Sequence, residues 1–134
     1  METAVPILHL SLPIRDLDEA RTFYEDALGC EIGRVRDGWI DVWFHGMQLT
    51  LHLEPDQVLP LDPRNVRHFG ITLGADDLAV LFQRLEARPT RWLKRPTTDY
   101  AGTPRAQTKA MIADPSGNAI ELKTYADPAA AFAD

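Results

Sequence analysis

The stretch Arg67–Leu73, "RHFGITL", reads as a strand: Phe69, Ile71 and Leu73 fall on one face, and His68, Gly70 and Thr72 on the other. It decides the fold because the chain has already used it once. Moved back by 59 residues (68 − 9), His68 falls on His9, Ile71 on Leu12 and Leu73 on Ile14. The same shift carries Ala79 onto Ala20 and Phe82 onto Phe23. A repeat of this length is one supersecondary unit built twice.

Working outward gives each copy its elements. The first module spans 4–54 and starts with the strand "VPILHLSLPI". Asp16 then caps a helix, with Glu19 three residues on in a capping-box arrangement. Leu17, Ala20, Phe23, Tyr24, Ala27 and Leu28 form its apolar stripe, and Gly29 suits the stop. The strands "CEIGRVR", "WIDVWFH" and "MQLTLHLE" follow, joined by turns at Asp37-Gly38 and around Gly46. The segment 55–66, with three prolines, is a linker. The second module, 67–125, has a helix over Asp76–Arg88 ended by Pro89, a short strand "RWLKR" and a polar loop Thr97–Gln107. The strands "TKAMIAD" and "AIELKTY" then flank a Pro115–Asn118 turn, and 126–134 is a loosely docked tail. The fold class is α+β: one domain over 1–134, made of two β-α-β-β-β modules forming a curved mixed sheet around a metal-binding cavity.

Bulk properties narrow the function. A net charge of −6 over 134 residues, with no basic run, excludes a nucleic-acid footprint. No apolar run is long enough to span a membrane, and the first residues have neither a basic start nor an apolar signal core, so the expectation is a cytoplasmic protein. Cys30 is the single cysteine, which excludes an intrachain disulfide and a cysteine-rich zinc site and suits a structural role.

Four ionisable residues stand on the polar faces of strands whose other faces are apolar. His9 lies with Ser11, His68 with Gly70 and Thr72, Glu121 with Ala119 and Lys123, and His52 with Thr50 against Leu49, Leu51 and Leu53. A shift of 69 (121 − 52) places His52 on Glu121, and the ten residues gained over the first shift fall between Pro96 and Gln107. Apolar faces suit covering helices, so the polar faces would line the cavity. Two imidazoles and a carboxylate are a donor set for a divalent first-row metal. A fourth group nearby is either a further ligand or a proton-transfer residue. His45, at the "FHGM" turn, is read as exposed. Trp39, Trp43 and Phe44 are read either as cavity lining or as core.

These residues resemble the vicinal oxygen chelate superfamily, which includes glyoxalase I, extradiol dioxygenases, fosfomycin-resistance proteins and bleomycin-binding proteins. The segments "ILHLSLPIRDLDEARTFYEDALGCEIG", "RHFGITL" and "DPSGNAIELK" carry the resemblance. "GCEIGRVRDGWIDVWFHGMQLTLHLEP" further resembles a small bacterial group of predicted extradiol-dioxygenase-like proteins. The resemblance implies metal ligands at His9, His68 and Glu121. It implies for His52 either a fourth ligand, as in glyoxalase I-like members, or the acid–base residue of catechol-cleaving members. Those members also carry a Tyr in the strand before the final Glu. Here "TKAMIAD" has Met111 near that place and no Tyr, so only Tyr100, from the preceding loop, is available to substitute.

The leading expectation is a dioxygenase-like oxidoreductase holding Fe(II) or Mn(II). Its small-molecule substrate would chelate the metal through vicinal oxygens, and His52 would carry the substrate proton. The loop bearing Tyr100, Arg105 and Gln107 would cover the mouth, with Arg105 pairing an anionic substrate group. The alternatives are a glyoxalase-type lyase or isomerase with Ni(II) or Zn(II) and His52 as fourth ligand, and a metal-free binding or resistance protein. Superfamily members of this length imply a homodimer.

Overall fold

The structure is a computed structural model that describes residues 6–62 and 66–132. The chain divides into two compact units between Leu59 and Pro60, inside the expected linker. Each unit holds its own four-stranded sheet.

In the first unit the elements are β1 (His9–Ile14), α1 (Leu17–Thr22), β2 (Glu31–Arg36), β3 (Trp39–Phe44) and β4 (Met47–Leu53), in sheet order β1-β4-β3-β2. β1 runs parallel to β4, and the β2-β3-β4 meander is antiparallel, as a return through one helix requires. β1 is shorter than the sequence suggests, although Leu8 still accepts a hydrogen bond from Gln48. Val5, the strand's expected start, lies outside the described residues. The second unit repeats the pattern with β5 (Phe69–Thr72), α2 (Ala75–Glu86), β6 (Arg91–Asp99), β7 (Gln107–Ala113) and β8 (Ala119–Tyr125), in order β5-β8-β7-β6. β5 is parallel to β8 and the remaining pairs are antiparallel. No helix among the described residues is long and apolar enough to cross a membrane.

One face of each sheet forms the unit's core. Ile14, Ile40, Val42, Phe44, Leu49 and Leu51 are all buried, as are Ala20, Tyr24, Ala27 and Leu28 of the helical stripe; α1 packs on β3 and β4. Phe44 is therefore core, whereas Trp39 and Trp43 alternate onto the opposite face. In the second unit Leu78, Leu81 and Leu85 of α2 join Ile112, Ile120 and Leu122. Each such side chain contributes about 1.5–3 kcal/mol by leaving water.

Local differences from the sequence reading have local causes. Asp16 caps α1 by accepting from the Glu19 backbone N–H at 2.8 Å, but the Glu19 carboxylate turns to a two-pronged pair with Arg15, at 2.8 and 2.7 Å, leaving the capping box half-formed. Phe23–Ala27 winds as a π-turn, and Gly29, at φ +71, ends it in the left-handed region that glycine tolerates best. α2 starts at Ala75 and ends at Glu86, inside the expected Asp76–Arg88 at its C-terminal end. β6 continues four residues past the expected "RWLKR", to Asp99, by register shifts flanking Leu93 and Pro96. β6 is an edge strand, where a proline costs no ladder bond, and Thr97 and Thr98 favour the extended backbone. The expected 97–107 loop shrinks to the turn 100–106. The tail forms a 3-10 turn over Pro128–Phe132. At the β3–β4 hairpin, His45 (φ +48) and Gly46 (φ +85) make the turn, and His45 is exposed, as expected.

Candidate metal centre

In the second unit His68 and Glu121 come together. His68 immediately precedes β5, and its Nδ1 lies 2.8 Å from the Val66 carbonyl. A carbonyl can only accept, so Nδ1 carries a proton, and in the neutral ring Nε2 is then the atom with the free lone pair. That Nε2 stands 3.9 Å from Oε2 of Glu121. An imidazole with its remote N–H given to a backbone oxygen is the arrangement that orients metal-binding histidines. Glu121 sits mid-strand between Gly70 of β5 and Met111 of β7. Its other oxygen, Oε1, lies 3.6 Å from Nζ of Lys123. His68, Gly70, Thr72, Glu121 and Lys123 line an open cleft of about 270 Å³.

Gly70 makes this approach possible: a Cβ there would overlap the Glu121 carbonyl. Gly70→Ala must push β5 off β8 and is expected to cost about 1–3 kcal/mol, as overpacking does. Urea unfolding checks this. A variant with wild-type stability would mean that the strands have room to spare.

In the first unit His9 likewise turns Nδ1 to a backbone carbonyl. Its Nδ1 lies 3.0 Å from the Gln48 carbonyl, and the Ser11 hydroxyl lies 3.2 Å from Nε2. The registers then correct the internal equivalence. Ser11 pairs with Thr50 in the first sheet, and Gly70 pairs with Glu121 in the second. Thr50 is therefore the counterpart of Glu121, at a shift of 71 (121 − 50), and His52 is the counterpart of Lys123. The shift of 69 inferred from sequence is two residues off. A slip of two leaves every side chain on its own face, so alternation cannot detect it. His52 does share the His9 face, half-buried, but it stands opposite Pro13, four residues beyond the His9 row or about 13 Å along the strands.

Asp41, absent from the sequence reading, dominates the polar face of the first sheet. It is 1% exposed, and its carboxylate accepts from the Thr50 hydroxyl (2.7 Å), Arg34 Nε (2.6 Å) and Gln48 Nε2 (3.4 Å). Burial alone would raise its pKa; the hydrogen bonds from Arg34, Thr50 and Gln48, with the charge of Arg34, hold it below the usual value. The signal was a lone acid inside the apolar run "WIDVWF".

The loop residues stay away from the His68–Glu121 pair of their own unit. Gln107 opens β7 on the Glu121 face, but four residues from Met111, the partner of Glu121, which is about 13 Å along the strand. Tyr100 (φ +54, 63% exposed) and the exposed Arg105 lie in the turn beyond it. Extension of β6 to Asp99 carries this turn toward the end of the sheet away from the His68–Glu121 row. Within neither unit do three His, Cys, Asp or Glu side chains of the described residues gather in a way that could hold a metal ion. The first unit holds His9, and the second holds His68 with Glu121.

A twice-used β-α-β-β-β unit with a histidine at or just before the first strand of each copy defines a class of two-module α+β proteins. Residues 6–122 match the model of the Glyoxalase/Bleomycin resistance protein/Dioxygenase superfamily, and the chain belongs to that superfamily. It is 31% identical to a glyoxalase/bleomycin resistance protein/dioxygenase from Alicyclobacillus acidocaldarius, over 97% of this chain and 98% of that one, with a TM-score of 0.83. An integron cassette protein from V. cholerae is 26% identical, with 94% and 99% of the chains covered and a TM-score of 0.63. The fosfomycin resistance protein FosX from Listeria monocytogenes shares the fold, with a TM-score of 0.70 at 12% identity over 92% and 94% of the chains.

Proposed function

We propose that this chain is a metal-dependent enzyme, a dioxygenase-like oxidoreductase whose small substrate chelates the ion through two vicinal oxygens. His9, His68 and Glu121 are the proposed ligands, and Fe(II) or Mn(II) suits two imidazoles and one carboxylate. The observation that carries this reading is the residue at the Glu121-equivalent place in the first unit. It is Thr50, whose hydroxyl is already given to Asp41. The absence of a carboxylate there supports a set of three protein ligands with positions open for substrate over a four-ligand glyoxalase-type set. A bound ion would supply Lewis-acid polarisation and a fixed substrate orientation. His52 lies two residues beyond Thr50 on the same face, which supports reading it as the residue that accepts and returns the substrate proton.

Protein purified without chelators is expected to carry about one Fe or Mn per chain and to consume oxygen with a vicinal diol. His52→Ala should keep the metal and lose turnover by about 10²- to 10⁴-fold. Absence of stoichiometric metal overturns the enzyme reading. Loss of metal in His52→Ala returns His52 to the ligand set.

A further inference from the structure

The polar face of the first sheet carries a second device, which metal binding leaves unused. Asp41 is a fixed post, with both oxygens occupied by Thr50, Arg34 and Gln48. Arg34 is tied to it through Nε alone, at 2.6 Å. Its guanidinium carbon also lies 4.9 Å from the ring centroid of Trp39, so the plane is held from a second side. Arg36 flanks the same ring at 6.0 Å. An arginine serving only to neutralise a buried carboxylate is best used with its two-pronged edge turned onto that carboxylate. Here that edge is spare. Among the described residues nothing accepts from the two Nη groups, and 57% of the Arg34 side chain is open to solvent. The Asp41 row lies two residues along and two strands across from His9, about 12 Å between backbone positions.

We propose that Arg34, oriented by Asp41 and Trp39, anchors a carboxylate of the substrate, so that the enzyme takes a small carboxylic acid in preference to a neutral diol. The inference rests on the metal reading only in treating His9 and Arg34 as parts of one substrate site. A planar guanidinium edge with two parallel N–H donors matches a carboxylate and gives a neutral hydroxyl pair far less. Asp41 and Trp39 are positioning residues: they set the plane of Arg34 and do not touch the acid.

The test uses full-length protein and three probes: benzoate, catechol and 3,4-dihydroxybenzoate. In chelator-treated protein, benzoate should shift the Arg34 Nε–Hε NMR signal saturably, and neutral catechol at equal concentration should not. In metal-loaded protein, 3,4-dihydroxybenzoate should bind about tenfold more tightly than catechol by titration calorimetry. Arg34→Gln should abolish that preference, and Arg36→Gln should leave it intact. Should Arg34→Gln fail to fold, Arg34→Lys keeps a positive charge beside Asp41 but lacks the planar edge, and should lose most of the preference. An Arg34 signal unmoved by benzoate overturns the proposal, as does a preference that survives in both Arg34 variants. If neither diol binds the loaded protein while benzoate still moves Arg34, the anion site stands and the chelation reading falls.

Discussion

Asp41→Ala should lower the free energy of unfolding by about 2–4 kcal/mol, a large part of the 5–15 kcal/mol that holds a domain of this size folded. Asp41 is almost wholly buried and is the common acceptor for Thr50, Arg34 and Gln48. Its removal strands the Thr50 hydroxyl in a site only 6% exposed and leaves a cavity between β3 and β4. Arg34 is half in solvent and can rehydrate, which keeps the loss below that of a fully buried pair. Asp41→Asn should also destabilise, because it removes the negative charge that faces the Arg34 guanidinium. The pH dependence has a definite sign. The pKa of Asp41 is lowered in the folded state, so its stabilisation is fully present above the unfolded carboxyl pKa of about 3.9 and is lost as pH falls through the folded value. The gap between wild type and Asp41→Asn should therefore be constant near neutrality and close below about pH 4. Urea unfolding of both proteins from pH 7 to pH 3 measures it. Equal stabilities at pH 7 would show that the network contributes nothing net.

The two modules were legible because hydrophobic alternation and helical spacing report directly on which face is buried. Leu49 and Leu51, or Leu78, Leu81 and Leu85, announce their burial through spacing alone, and all are in the core. Faces were legible for the same reason: His9, His52, His68 and Glu121 all stand opposite the apolar faces. Register was not. Nothing in "LTLHLE" distinguishes Thr50 from His52 as the partner of Glu121, since both choices satisfy the alternation; the pairing Ser11–Thr50 decides it. The Asp41 cluster was hidden for a related reason. Its stabilisation comes from Arg34 seven residues before it and Thr50 nine residues after it, brought together by two hairpins. Composition likewise misled at 97–107, where the polar threonines read as loop but extend an edge strand up to Tyr100.

The largest functional effect should come from Glu121→Ala. Glu121 brings a carboxylate oxygen within 3.9 Å of Nε2 of His68, and it also stands 3.6 Å from the Lys123 ammonium. Removing it deletes the one anionic donor of the proposed set and leaves the lysine charge uncompensated at the same cleft, where it repels a divalent cation. Both effects act in one direction. Apparent Mn(II) affinity is therefore expected to fall by at least about a hundredfold, beyond the 10- to 100-fold typical of losing a residue that merely supports a ligand. Stability should change little, because the side chain borders an open cleft and not the Ile120–Leu122 core beneath it. Lys123→Met separates the two contributions: relieved of the ammonium, Glu121 should bind the ion more tightly than in the wild type. Tyr100→Phe, at the far end of the sheet, should alter neither value. Titration calorimetry with Mn(II), alongside metal content of the purified variants, reads all three. Retention of stoichiometric metal by a folded Glu121→Ala protein would remove Glu121 from the donor set, and with it the two-histidine, one-carboxylate centre on which dioxygenase-like chemistry depends.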